Sequence, residues 1–551
     1  MKDMSLWQEQ DWIAAIAVVV LAVFLAVGAR VAIQKEPEFA GHPKGLYMLF
    51  FAEMWERFSY YGMRALLIFY LTKHWLFSDG KSTLIYGAYT SLVYITPLLG
   101  GYLADRYLGQ RKAVLFGGLL LAAGHSLMAV EGMQGVTDPL VKQADPAINV
   151  FWAALAFIIV GSGFLKANIS VMVGQLYKLT DVRRDGAYTI FYMGINLGAA
   201  VGTILVGYLG ETIGWGYGFG LAGIGMLAGL VVFVLGKGAL NGAGEAPRPI
   251  SRGLEYSLYG AGFAAVAVCW ALVQYQDVIQ TLLIISGVAL LGYVLYESFK
   301  LDKEPRERMF AILFLISLNP LFWGLFEQAG GSMSLYTDEF VDRGGVPASI
   351  FQSINPIYII ILAPLFAGLW AWLGRIGKEP SAPAKFGLAL AQMGLGNLVL
   401  VWGAQAYGLE VMTPVIFVFL YYLFATTGEL CLSPVGLSAM NRLAPTFLAS
   451  LIMGAWFYMT AVGNFVAGKI GEATGGHDGE MSKQGLLEIY ELFGWIAVGA
   501  AVAVLLVSPI VKRWMHLDTL GDRTVGDDLL GQQEGPGEAQ AAGIHPATRP
   551  Q

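Results

Sequence analysis

The sequence predicts an all-α polytopic membrane protein, and its composition and patterning carry that prediction. The 551-residue chain is 56% hydrophobic and only 13% charged, whereas soluble globular proteins carry about 25% charged residues. Several apolar runs reach the roughly 20 residues that a helix needs to cross a bilayer. Glycine is frequent, at 70 residues, and small residues let membrane helices approach closely. A β-barrel would show short alternating segments instead.

The apolar runs give the spans in chain order. A first span at 12–33 precedes six core spans, at 46–74, 82–106, 111–131, 149–176, 186–211 and 216–236. A polar Gly/Pro segment follows, then a pair of spans at 254–274 and 278–299. Six further spans lie at 306–337, 349–374, 384–406, 413–442, 447–470 and 486–512. The predicted domains are an extra transmembrane segment (1–40), a six-helix bundle (41–238), a linker with an inserted helix pair (239–304), a second six-helix bundle (305–515) and a disordered cytoplasmic tail (516–551).

Basic residues orient this bundle of spans. Arg106, Arg111 and Lys112 share one loop, and further lysines and arginines lie in loops on the same side. Because cytoplasmic loops carry the excess of Lys and Arg, this side is predicted to be cytoplasmic. The first span then has its N-terminus outside. The basic residues lie in short loops between spans, so nucleic acid is not an expected partner; the lipid bilayer is.

Short internal matches indicate two related halves. Residues 191–193 (FYM) recur at 457–459, an offset of 266, and 96–99 resembles 363–366 at an offset of 267. The two offsets place the fifth core helix on the eleventh and the second on the eighth. Transporters with two such halves bind substrate near the midplane between them and expose it alternately to either side.

The first core helix carries four charged residues in an otherwise apolar run: Glu53, Glu56, Arg57 and Arg64. Glu53, Arg57, Tyr61 and Arg64 are spaced by four, four and three residues, so they share one helix face. Charges within a membrane are costly and mark ion paths or polar cavities. This titratable face predicts a path for protons and ions.

Other intramembrane polar residues extend the pattern to further helices. Lys166 lies deep in the fourth core helix, while Glu327, Asn355 and Glu429 lie in the second half. The first half therefore supplies cations and the second half supplies carboxylates. A cavity with one basic and one acidic wall suits a zwitterion, such as a short peptide or an amino acid. The alternative is that these charges only join helices to one another.

Neither cysteine nor histidine suggests a metal site or a cofactor. Cys269 and Cys431 lie in separate apolar spans and form no metal or disulfide pattern. His125 is interpreted as a hydrogen-bonded structural residue. No cofactor and no metal are expected, and the chain is not expected to be an enzyme.

With these residues in view, the chain resembles the proton-coupled oligopeptide transporters of the major facilitator superfamily, in their bacterial form. The string Glu53-x-x-Glu56-Arg57-Phe58-x-Tyr60-Tyr61-Gly62 matches that family's signature at every fixed position. Further matches are 100–106 (GGYLADR), 163–168 (GFLKAN), 194–198 (GINLG) and 428–434 (GELCLSP). The resemblance covers about 46–512 and includes the inserted helix pair. The first span at 12–33 is extra, and the family suggests no role for it.

The resemblance implies a role for each matching residue. Arg57, Arg64 and Lys166 would hold the peptide carboxylate, and Glu429 with Asn196 and Asn355 would hold the amine and backbone. Side-chain pockets would be lined by Tyr61, Tyr94, Trp323 and Trp456. Proton coupling would involve Glu53, Glu56, Arg57, Lys166 and Glu327. The second core helix has no histidine, so coupling must rest on carboxylates.

Two further expectations concern conformational change. Lys166 and Glu327 are expected to face each other across the halves, so that protonation of Glu327 would release Lys166 to bind the substrate carboxylate. Lys81 with Glu339 is the predicted outer gate. Asp105 and Arg106 resemble the superfamily's cytoplasmic loop motif, which joins helices and does not contact substrate.

The sequence thus predicts a proton-driven importer of di- and tripeptides in a bacterial cytoplasmic (inner) membrane, working as a monomer by alternating access. A transporter of another anion or small zwitterion with the same fold, such as nitrate or an amino-acid conjugate, is one alternative. A polytopic membrane enzyme and a passive channel are two others. The enzyme would need a metal or nucleophile cluster near a membrane face, and the sequence shows none.

Overall fold

The computed structural model describes residues 38–519 except 179, 180, 182, 446 and 477. The predicted span at 12–33 and the tail beyond 519 lie outside these residues. A short antiparallel hairpin, β1 (Glu38–Phe39) and β2 (His42–Pro43), leads into the first helix. Arg183 holds it in place, because its Nη1 donates to Glu38 Oε1 (3.1 Å) and to the Gly41 carbonyl (2.8 Å).

Six long helices form the N-terminal bundle. They are α1 (Lys44–Phe69), α2 (Asp79–Leu103), α3 (Gln110–Met128), α5 (Ala147–Gln175), α6 (Arg184–Thr212) and α7 (Trp215–Leu235), with the short α4 (Pro139–Gln143) in a loop. One turn of π-helix extends α1 over Tyr70–His74 and α2 over Ala104–Leu108.

The inserted pair and the C-terminal bundle follow. The pair is α8 (Arg252–Gln274) and α9 (Gln276–Phe299). The second bundle contains α10 (Lys303–Ser317), α11 (Asn319–Phe326), α12 (Ser332–Phe340), α13 (Ile354–Arg375), α14 (Ala382–Tyr407), α15 (Ile416–Leu443), α16 (Ala449–Thr474) and α17 (Lys483–Trp514). Two-residue strands β3 (Val341–Asp342) and β4 (Thr413–Pro414) pair in parallel beside it.

These elements confirm the predicted fold class. Eleven segments of the described chain are long and apolar enough to cross a membrane. The other three spans predicted in this range form α1, α2 and α3, which are long helices with more polar sequences. In α1 the cause is visible, because its four charges between Glu53 and Arg64 lower the mean hydropathy.

The predicted continuous span at 306–337 is wrong in one respect, because the structure breaks it into α10, α11 and α12. Pro320 lies at the start of α11, where its missing N–H removes no helical hydrogen bond. A 3₁₀ turn over Glu327–Gly330 then separates α11 from α12. This break places Glu327 in a turn within the membrane-spanning region.

The two bundles meet along α2 with α16 and along α6 with α13. We call the end of the molecule that carries the loop with Arg106, Arg111 and Lys112 the inner end, and we call the opposite end the outer end. The α2–α16 contact is tightest toward the outer end, where a Cβ on Gly87 would lie only 2.6 Å from the Gly468 Cα. Only glycine permits this approach, so the outer ends of the bundles are packed together.

Candidate functional site

A cavity of about 650 Å³ lies between the two bundles. Its N-terminal wall includes Arg57, Tyr61, Tyr94 and Lys166, and its C-terminal wall is formed by Ser450, Leu451, Gly454 and Phe457. The lining continues to Asp105 and Arg106 at the inner end. Because the bundles are packed together at the outer end, this conformation exposes the cavity toward the inner end.

Arg57 lies against two carboxylates of its own helix. Its Nη2 and Nε each lie 2.6 Å from Glu53 Oε1, and its Nε lies 3.3 Å from Glu56 Oε2. All three side chains are at most 2% exposed. The i,i+4 spacing predicted that Glu53 and Arg57 share one helix face, and Glu56, the residue before Arg57, lies beside it. Protonation of either carboxylate would leave more of the guanidinium charge available to an incoming anion.

Lys166 reaches the same cavity from α5. Its Nζ lies 4.1 Å from the centroid of the Tyr60 ring and 5.3 Å from that of Tyr94. Aromatic faces attract cations at these distances. Lys166 and Arg57 therefore present two buried cations on one wall, as the sequence predicted.

Glu327 forms its salt bridge with Arg64, and this corrects the predicted pairing of Glu327 with Lys166. Arg64 Nη2 donates to Glu327 Oε2, and Arg64 Nε donates to the Tyr86 hydroxyl at 2.5 Å. The broken helix explains the difference. A continuous helix through Glu327 would direct its side chain differently from the 3₁₀ turn that the structure contains.

Glu429 lies in a second, smaller cavity of about 50 Å³. Asn355 Nδ2 donates to Glu429 Oε2 (3.0 Å) and to Thr426 Oγ1 (3.1 Å). This cavity is also lined by Trp323, Arg64 and Glu327, and it shares Tyr61 and Tyr94 with the large cavity. Of the three predicted cations, Arg57 and Lys166 therefore line the large cavity, whereas Arg64 lines the small cavity together with the carboxylates Glu327 and Glu429.

Two predicted binding residues line neither cavity. Asn196 is buried in α6, where its Nδ2 donates to the Tyr192 carbonyl at 3.2 Å. Trp456 is fully buried and packs on Phe386, with ring centroids 6.2 Å apart. Trp456 does not line the cavity because the next residue of the same helix, Phe457, is the one that faces it.

The outer gate also differs from the prediction. Lys81 Nζ donates to Gln276 Oε1 of α9 at 2.6 Å and does not form the expected pair with Glu339. A salt bridge at this end of the described chain joins Lys73 Nζ to Asp338 Oδ2 at 2.5 Å. Asp338 directly precedes the predicted acid, Glu339, and Lys73 lies eight residues before the predicted base, Lys81.

Asp105 and Arg106 lie at the inner mouth of the large cavity. Gln110 Nε2 donates to Asp105 Oδ1 (2.7 Å), and Arg106 Nη1 donates to the Tyr102 hydroxyl (3.0 Å). The first bond joins α2 to α3, the second lies within α2, and both Asp105 and Arg106 also line the large cavity.

Sequence reasoning missed several polar residues of the site. Tyr86 contacts Arg64, Thr426 contacts Asn355, and Gln352 lines the small cavity, where its Nε2 donates to the Ala65 carbonyl at 3.3 Å. None of them is charged, so no residue-type signal separated them from ordinary polar residues. Within the described residues, no group of three or more His, Cys, Asp or Glu has an arrangement that could hold a metal ion.

Comparison with known proteins places this geometry in context. The sequence profile of a protein family, described as the POT family, matches residues 111–486. Peptide transporter YePEPT of Yersinia enterocolitica is 35% identical over 522 residues, covering 88% of this chain and 98% of its own. Dipeptide and tripeptide permease B of Edwardsiella piscicida is 30% identical over 492 residues, covering 87% and 96%.

A solved structure shows the same fold. A crystal structure of a mutant of the peptide transporter POT in complex with alafosfalin is 34% identical, with a TM-score of 0.75. The match covers 90% of this chain and 99% of that one.

Proposed function

Because the chain belongs to the POT family of transporters, we propose that it imports di- and tripeptides together with protons. The large cavity between the bundles carries this proposal. It holds two buried cations on one wall and adjoins a smaller cavity with Glu429 and Asn355. Peptides carry a carboxylate at one end and an ammonium at the other. The chain is a multi-pass membrane protein, and we place it in the cytoplasmic membrane of a bacterium as a monomer.

The cations assign an orientation to the substrate. The peptide carboxylate binds at Arg57 and Lys166, because ionised donors make the strongest hydrogen bonds to carboxylates. The amine binds at Glu429, assisted by Asn355. When the substrate leaves, Glu53 and Glu56 again balance the charge of Arg57.

Protons enter through the carboxylates that already neutralise these cations. A buried carboxylate next to a cation stays ionised, and it becomes neutral more readily when another anion takes its place. Substrate binding at Arg57 therefore favours protonation of Glu53 or Glu56. At the outer end, protonation of Glu327 would weaken its salt bridge with Arg64 and assist opening.

The test is uptake of labelled dialanine into liposomes with an imposed pH gradient. We expect accumulation that a protonophore abolishes, which would exclude a passive channel. Competition by unlabelled dipeptide, but not by nitrate or by an amino-acid conjugate, would separate peptide from the alternative substrates. Absence of dialanine uptake by a correctly inserted carrier would contradict the proposal.

Lys166→Ala is the matched site variant. It removes a buried cation from the cavity, so we expect proton-driven uptake of dialanine to be abolished. Lys237→Ala, at an exposed position outside the cavity, is the control and should retain uptake. Near-normal accumulation by Lys166→Ala would show that Lys166 does not hold the carboxylate.

A further inference from the structure

The inserted helix pair, α8 and α9, contributes no residue to the lining of either cavity. The first helix of the pair, α8, packs on the N-terminal bundle, whereas α9 contacts the C-terminal bundle and also α2. This division suggests a mechanical role.

Three contacts fix α8 to the N-terminal bundle. Near its inner end, Glu255 Oε2 lies 2.7 Å from Lys112 Nζ of α3. One turn further, the rings of Tyr259 and Phe116 of α3 have centroids 4.9 Å apart. Near its outer end, Trp270 Nε1 donates to a backbone carbonyl of α5 at 3.3 Å. Contacts at both ends and between them hold α8 as part of this bundle.

The second helix of the pair is fixed to the C-terminal bundle instead. Tyr458 of α16 donates to the Leu283 carbonyl at 2.7 Å, and its hydroxyl lies 2.6 Å from Ser286 Oγ. At the inner end of α9, the rings of Phe299 and Phe310 of α10 have centroids 5.7 Å apart. Tyr458 directly follows the cavity residue Phe457, so α9 supports the back of the cavity wall.

Between themselves the two helices are loosely joined. In the described chain, no hydrogen bond or ring contact links α8 to α9 beyond the turn that connects them, where Gln276 Nε2 donates to the Val273 carbonyl at 2.6 Å. Tyr275 in that turn has a non-helical backbone, with φ −118° and ψ 77°. The turn lies at the outer end, where Lys81 of α2 donates to Gln276.

We propose that the inserted helix pair is a hinge between the two bundles. In this arrangement α8 moves with the N-terminal bundle, α9 moves with the C-terminal bundle, and the turn at Tyr275 flexes between them. The motion of such transporters is largely a rocking of one bundle against the other. A hinge at the outer end permits the inner ends of the helices to separate and approach. Lys81–Gln276 is then a contact between the moving units that forms when the outer end closes.

Crosslinking tests whether each helix moves with its bundle. One cysteine pair, Lys112→Cys with Glu255→Cys, joins α8 to the N-terminal bundle. A second pair, Ser286→Cys with Tyr458→Cys, joins α9 to the C-terminal bundle. A short bis-methanethiosulfonate reagent links each pair after reconstitution. We expect dialanine uptake to survive both links, singly and together, at half or more of the rate of the same carrier before linking.

The control pair crosses the bundle interface and must block transport. Lys73→Cys with Asp338→Cys joins the two bundles at the closed outer end, where Lys73 Nζ lies 2.5 Å from Asp338 Oδ2. Both native cysteines, Cys269 and Cys431, are first replaced by alanine. We expect this link to stop uptake and its reduction to restore it. Uptake measured before linking shows whether the carrier transports dialanine at all, so failure of the proposed transport function can be told apart from failure of the hinge proposal.

If linking α8 to α3, or α9 to α16, stops uptake as the control link does, the hinge is excluded. A second measurement tests the hinge even if a carrier with a cysteine pair fails to insert into the membrane. Lys81→Met removes the outer contact between the units, so a lone Thr83→Cys should react about two- to tenfold faster with an impermeant maleimide, the range for a lost hydrogen bond. Lys237→Met is the control, and an unchanged rate in Lys81→Met would also overturn the proposal.

Discussion

At Arg57, a single buried cation can couple the binding of protons to the binding of substrate in the mechanism that we propose. Its guanidinium is already balanced by Glu53 and Glu56 on the same helix, so a substrate carboxylate must compete with them. Removing one partner of a buried ion pair costs about 3–5 kcal/mol. Neutralising a glutamate by protonation while the substrate anion arrives avoids most of that cost. In the proposed mechanism, proton binding and peptide binding therefore favour one another at this residue.

Glu429, in the small cavity, can be tested with a single substitution. Glu429→Gln keeps the size of the side chain but removes its charge, so a dipeptide with a free amine should bind more weakly. Hydrogen bonds to charged groups contribute about 1.5–3 kcal/mol, which corresponds to about a 10- to 100-fold rise in Kd. An N-acetylated dipeptide lacks the ammonium and should lose much less. Equal losses for both ligands, measured by competition, would show that Glu429 does not bind the amine.

At this scale the sequence predicted the charged residues well and their partners less well. Arg57, Lys166 and Glu429 stood out because a lone charge in an apolar helix has few explanations. Spacing along one helix also gave the Glu53–Arg57 contact. The pairing of Glu327 with Arg64 was missed, because contacts between bundles depend on the local break at Glu327, which hydropathy does not reveal.

Among the elements, α2 and α16 pack closely against each other at the outer end. Gly87 lies against the backbone of Gly468, so Gly87→Val inserts a branched side chain where none fits. Overpacking of this kind costs about 1–3 kcal/mol, and here it acts only on the conformation with a closed outer end. We expect slower dialanine uptake and faster labelling of Thr83→Cys by an impermeant maleimide.

The control for this variant is a glycine with open space. Gly260→Val on α8 has no neighbour within 4 Å of its Cβ and should leave both readouts near normal. If Gly87→Val also leaves them unchanged, the glycine contact does not determine closure.

A second element-scale prediction concerns the N-terminal segment. Removing residues 1–37 should leave transport intact, because the cavity residues and both bundles lie within 38–519. The deletion keeps the 38–43 hairpin, whose bond to Arg183 a cut after residue 40 would remove. The measurement is dialanine uptake by a truncation that inserts in the correct orientation; lost uptake would assign the segment a role in transport.

The long elements followed from the sequence because runs of about 20 apolar residues have one stable solution in a bilayer. The break between α10 and α12 did not follow, although Pro320 and the Gly330–Gly331 pair lie there. In membrane helices such residues often leave the helix continuous, because neighbouring groups satisfy the freed backbone. The position of Glu327 depends on this break between α10 and α12, so the sequence did not predict that position either.

For the whole molecule, we propose that the two bundles rock against each other around the cavity, as in other transporters built from two such halves. Their outer ends are joined by the α2–α16 packing, by Lys73–Asp338 and by Arg64–Glu327. The last of these is buried and contains a carboxylate that a proton can neutralise. We therefore propose that Glu327 links protonation to the opening and closing of the outer end.

A pair of assays on Glu327→Gln tests this claim most directly. Glutamine resembles a protonated glutamate in shape and hydrogen-bonding capacity but releases no proton. We measure dialanine exchange without a pH gradient and dialanine accumulation with one, in a single liposome preparation alongside the unsubstituted carrier. We expect exchange to persist while accumulation fails, because the empty carrier can no longer re-form the Arg64–Glu327 salt bridge. Accumulation equal to that of the unsubstituted carrier would contradict the proposal and leave coupling to Glu53 and Glu56.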